Sequence, residues 1–201
     1  VQSMDDARPM AFKPAPQFDA PDPAACQTML DVRAGVDEIR HAEIGFRFLA
    51  ALGHDVAPGP LDVTRALSDG ASLQSVFRLV VRECLLGETV AAVEAAHVVH
   101  AIECPVFRGE LQSLAEDEAR HAELGFLFAA WAIEQDPSLR AILAEELAAF
   151  ALPELRPCAG FEAWGVLSRD ERRRIHVHAH ELLVRPLCAR LLGPSSPRPH
   201  A

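Results

Sequence analysis

Apolar positions recur at helical rather than strand spacing along most of the chain. Over 25–52, Leu30, Ala34, Gly45, Phe48 and Leu52 fall on one line of a helix, which Gly53 closes. A loop holding Pro58, Gly59 and Pro60 follows, long enough to cross a bundle from end to end. Ser72 is placed to cap a second helix reaching Ile102, which Cys104-Pro105 breaks. Pro105 suits the first turn of a third helix, running to Gln135 and stopped by Asp136-Pro137. A shorter helix over 138–151 ends at Leu152-Pro153, and an irregular stretch leads to Leu167. Ser168-Arg169-Asp170-Glu171 reads as a capping box for a last helix to Leu192. Five prolines make residues 1–23 an expected extended or disordered arm, and Gly193-Pro194 begins a loose tail. The pattern predicts an all-α protein divided into an arm (1–24), a helical bundle (25–136), a C-terminal helical extension (137–192) and a tail (193–201).

Composition agrees with helix: Ala and Leu are abundant, Gly is scarce, and half of the 201 residues are apolar, enough for one core. The formal charge of −10 argues against nucleic acid or an anionic membrane surface as partner. No leader pattern and no apolar run of about 18 residues is present, so the expectation is a soluble, cytoplasmic protein without a membrane association. Cys26, Cys84, Cys104, Cys158 and Cys188 are widely spaced and form no Cys-x-x-Cys pair, which favours small core residues over disulfides or zinc.

The polar exceptions to the apolar stripes carry the chemistry. Asp37-Glu38-Ile39-Arg40-His41 returns 80 residues later as Asp117-Glu118-Ala119-Arg120-His121, and ten of fourteen positions agree between 37–50 and 117–130. Glu38 and His41 interrupt the first stripe. Glu118 and His121 interrupt the third, among Phe107, Leu111, Leu114, Gly125 and Phe128. Burying an unpaired carboxylate costs several kcal/mol, and a cation is the simplest compensation. On the second helix Glu88 is the only charged group at the centre of an arc formed by Phe77, Val81, Cys84, Ala92 and Ala95. In an antiparallel hairpin turning near Cys104, Glu88 meets Glu118 and His121 at equal height. Glu83 lies about 7 Å farther along the axis. Glu94 and His97 repeat the Glu-x-x-His spacing on the opposite side and read as a surface pair.

Two Glu-x-x-His pairs and single glutamates from other helices make a ligand set for two divalent metal ions in a helical bundle. In these motifs the chain resembles the ferritin-like superfamily over roughly 25–135, closest in the Asp-Glu-x-Arg-His form to di-iron oxygenases and to ferritin-like proteins of undefined activity. The resemblance implies two iron ions, with manganese as the alternative, held by Glu38, His41, Glu88, Glu118 and His121. It implies dioxygen and a small-molecule substrate or electron donor as partners, and an oxidase or oxygenase activity. An iron-binding or ferroxidase role and a degenerate, non-catalytic bundle are the alternatives. It also implies that Asp37 orients His121 and Asp117 orients His41; otherwise these Asp and Arg residues pair on the surface.

One corner of that pattern is empty, because Glu38 is the first glutamate and only aspartates precede it. The first bundle helix is either missing or replaced by the proline-rich arm, or the site is degenerate. A homodimer partner is another way to cover the apolar stripes so exposed. His176, His178, His180 and Glu181 form a further set, which the neighbouring Arg172-Arg173-Arg174 marks as a wet face with a structural or adventitious role. His54, His100 and His200 carry no expected role. The chain has no tyrosine, so a tyrosyl radical is excluded; Trp131 reads as core packing rather than an electron relay.

Overall fold

A computed structural model of the chain describes residues 33–60, 72–151 and 164–193. The proline-rich arm, the part of the irregular stretch at 152–163, the tail after Gly193, Cys26 and Cys158 lie outside these residues. Every regular element described is helical. Helix α1 spans Arg33–Ala51. A long rod begins with α2, Leu73–Val80, widens into a π-helical segment at Val81–Glu88, and continues as α3, Thr89–Ala101. Helix α4, Pro105–Gln135, returns alongside it, and α5 spans Leu139–Ala149. The last rod comprises α6 (Arg169–Ala179), a π-helical turn (His180–Val184) and α7 (Arg185–Leu192).

The ends of these helices follow from local chemistry. Ser72 accepts from the Ser75 amide, and Ser168 and Glu171 close a reciprocal box, so each satisfies amides that the helix itself leaves open. Pro105 occupies the first turn of α4, where no intrahelical partner for its nitrogen is needed. Pro186 sits inside the last rod, where its ring crowds the carbonyl one turn earlier. The wider turn at His180–Val184 lies where that crowding must be absorbed.

The core lies where the long rod, α4, α5 and α7 meet: Phe77, Val81, Leu85, Ala129, Leu139, Leu143, Val184 and Cys188 are buried there. Each large side chain fully removed from water contributes about 1.5–3 kcal/mol. A smaller cluster of Val90, Val93, Leu167, Ile175 and Ala179 fastens α6 to α3. Burial of the long rod is broader than the single arc its sequence predicts, because Leu85, Leu86, Val90 and Val93 are covered as well. The π-helical segment rotates the register, and elements pack on more than one side of the rod. Trp131 packs against this core beside Phe128. Glycine matters most at Gly125, where a Cβ would stand 2.8 Å from the Cys84 Cβ and 2.9 Å from the Leu85 nitrogen. The rod approaches α4 as closely as it does because that Cβ is missing. Helix α1, by contrast, packs among the described elements only against α4. No described helix is long and apolar enough to cross a membrane.

Candidate metal centre

The two copies of the repeat face each other across the α1–α4 contact, and their side chains cross. His121 Nδ1 lies 3.1 Å from Glu38 Oε1, and His41 Nδ1 lies 3.2 Å from Glu118 Oε1. Within its own copy each imidazole is farther from its glutamate: 3.6 Å for His41 to Glu38 and 3.8 Å for His121 to Glu118. The opposite ring nitrogens are crossed as well. His41 Nε2 is 3.1 Å from Asp117 Oδ2, and His121 Nε2 is 3.4 Å from Asp37 Oδ2. These reciprocal contacts define an approximate local two-fold between the two halves of the repeat.

Proton placement follows from this geometry. An ionised aspartate can only accept, so each Nε2 carries the proton and donates it, which leaves Nδ1 of a neutral ring as a lone pair. Burial holds the His41 pKa below the usual histidine value despite the opposing charge of Glu38, so the neutral ring is the form present at neutral pH. Asp37 stays ionised: burial would raise its pKa, but the His121 hydrogen bond and the Arg120 charge bring it below the ordinary value. Arg40 and Arg120 both hydrogen-bond Asp117, and Arg120 also reaches Asp37 at 3.4 Å. Sequence reasoning left open whether these Asp and Arg residues serve the histidines or pair with one another. They do both.

The inward-facing atoms converge, and two of them find no partner. Ligand atoms of Glu38, Glu88, Glu118 and His121 all lie within 4.8 Å of one another, and the group could hold a metal ion. His41 stands at its edge through its contact with Glu118. His41 Nδ1 and Glu118 Oε2 are buried and have no hydrogen-bond partner. With Glu118 ionised, the 3.2 Å approach of His41 Nδ1 to Glu118 is a contact between two acceptors, whose lone pairs need a proton or a cation between them. Burial, the adjoining Glu88 carboxyl and the charge of Glu38 push the Glu118 pKa up to about 9. In the absence of a cation, a proton is what lets this carboxyl stay there. A divalent cation would satisfy the same atoms, so the residues present fit one.

The two halves of the centre differ in cover. The Glu118 side chain is 10% exposed, whereas that of Glu38 is 54% exposed. Glu88, at the end of the π-helical segment, lies on the Glu118 side, and no described carboxylate plays the same part over Glu38. Cys84, which the sequence places only in an apolar arc, belongs to the surroundings of the site. Burial, then the charges of Glu88, Glu83 and Glu38, raise its thiol to about 11 and keep it protonated.

Two expectations elsewhere need correction. Glu94 is not a free surface partner of His97, since it binds Arg172 at 2.6 Å and His176 on α6. His97 instead turns to the Val93 carbonyl. His176 does not lie on a wet face; it is 3% exposed. The three arginines beside it misled the reading, because Arg172 folds back onto Glu94 rather than facing water. His180 stacks on Phe150 at 5.3 Å, a packing role. The chain matches no protein-family model, and no significant match is found among curated proteins or solved structures.

Proposed function

We propose that the crossed cluster holds two divalent metal ions, iron or manganese, in a ferritin-like bundle, and that the protein is a dioxygen-using oxidase or oxygenase acting on a small molecule. The observation carrying this reading is the pair of buried, unsatisfied acceptors, His41 Nδ1 and Glu118 Oε2, facing a site whose outer nitrogens are anchored by Asp117 and Asp37. Glu38, Glu88 and Glu118 supply negative charge and His41 and His121 neutral nitrogen, a donor set suited to such ions. When bound, a metal pair of this kind supplies dioxygen binding and electron transfer. The chain's residues fix the imidazole tautomers, and Cys84 stays a neutral thiol against the carboxylates.

Metal content after anaerobic reconstitution tests the reading. About two ions per chain, lost in Glu118→Ala and His121→Ala variants that remain helical, is the expected result, while less than about one ion per chain contradicts it. The exposure of Glu38 and the single glutamate from the long rod favour a second reading, an iron-binding protein without substrate chemistry. Under that reading iron binds, dioxygen consumption without added reductant stops once the bound ferrous iron is oxidised, and no added small molecule is converted to an oxidised product.

A further inference from the structure

The internal repeat makes one face of α1 conspicuous. Along α4, Ala122, Gly125 and Ala129 are buried, with Gly125 pressed against the long rod. Their counterparts on α1, 80 residues earlier, are Ala42, Gly45 and Leu49, and all three are exposed, as are Gly35 and Ile39 on the same line. Ile39 is 64% exposed, and no described residue comes within 4 Å of a Cβ placed on Gly45. Among the described residues the repeat thus presents the same surface twice, covered once.

The uncovered copy is not suited to a second rod seated like the first. That seat requires small residues, and α1 carries Ile39 where α4 has Ala119 and Leu49 where α4 has Ala129. The order of sizes along α1, small Gly35, large Ile39, small Ala42, small Gly45, large Leu49, instead complements itself in reverse. In an antiparallel pair centred on Ala42, position i meets position 84−i. Leu49 then fills the notch at Gly35 of the second copy, Ile39 fills that at Gly45, and Ala42 meets Ala42. Such reciprocity is what a two-fold interface demands, and large-into-small packing is what close helix contact demands.

We infer that the exposed face of α1 is the interface of a homodimer in which the two α1 helices pack antiparallel about Ala42. The contact runs along a helix roughly 28 Å long at 1.5 Å per residue. With α1 as its main element it lies toward the small end of specific interfaces, so a dissociation constant on the order of micromolar is expected. The inference rests on the helix face and stands whether or not the adjacent cluster binds metal.

Sedimentation of the full chain between about 1 and 100 μM tests it. The wild type is expected to be a dimer at the upper end. Ile39→Lys and Gly45→Glu are each expected to raise the dissociation constant at least tenfold while leaving helical content by circular dichroism unchanged. Because residues 39 and 45 meet across the axis, the double variant brings Lys and Glu together and is expected to regain at least part of the association. A monomer throughout the range, with the face covered from within the chain, overturns the inference. So does a dimer indifferent to both single substitutions, or a double variant as dissociated as the singles.

Discussion

Asp117 and Asp37 decide what His41 and His121 can do, since a carboxylate at Nε2 leaves Nδ1 free to donate its lone pair. An asparagine amide could donate to Nε2 and turn that preference around. Asp117→Asn is therefore expected to weaken metal binding about 10–100-fold, measured by competition with a chelator, while the helical spectrum is kept. Glu118 adds a proton to the account. Its pKa near 9 means that at neutral pH the carboxyl is protonated and must release that proton to coordinate a cation. Metal affinity should consequently rise from pH 6 to pH 8, and titration calorimetry in buffers of different ionisation enthalpy should show proton release that Glu118→Gln removes. The glutamates and histidines were legible in sequence because polar residues interrupting an apolar stripe need a partner. The bonds of Arg40 to Asp117 and of Arg120 to Asp37 join two helices, a geometry that spacing along one helix does not contain.

At the scale of elements, the position of the long rod on α4 depends on the missing Cβ of Gly125. Gly125→Ala should destabilise by about 1–3 kcal/mol through overpacking, since both Cys84 and the Leu85 backbone stand in the way. Gly109→Ala, on the same helix with nothing within 4 Å, should stabilise by roughly 0.5–1 kcal/mol through helix propensity. Chemical denaturation of the two variants checks the contrast. Helix α5 is fastened to the rod by Glu146, which is buried and bonded to Arg78 and Arg82. Burial works to raise its pKa, yet the two arginines win and hold it below the model-peptide value of 4.5. Stability from this group is therefore fully present above pH 4.5 and is lost as pH falls through the lower folded value. Glu146→Gln should lower stability at pH 7 by about 2 kcal/mol and flatten its decline in acid, read from urea midpoints at pH 7 and pH 3. Helix limits were readable from Pro105, Asp136-Pro137 and the Ser168 box, which act locally. The π-helical segments were not, because Gly87 and Pro186 permit a widened turn without specifying it, and the rotation introduced at Val81–Glu88 buries Val90 and Val93 beyond the expected arc.

Across the whole molecule, the described residues form an all-helical assembly in which the candidate centre lies between α1 and α4 with one flank closed by Glu88 and the other open at Glu38. The pairing of Glu94 with Arg172 and His176 was not visible in the sequence, since it joins residues about 80 positions apart and the arginine run next to His176 pointed toward water. The most direct measurement of the central claim is anomalous diffraction from crystals of the protein reconstituted anaerobically with iron. Two peaks about 3.5–4 Å apart are expected, enclosed by Glu38, His41, Glu88, Glu118 and His121, with Nδ1 of each imidazole turned toward them. Density containing no anomalous peak among these five side chains, in a protein that otherwise keeps the crossed Asp–His contacts, would contradict the claim.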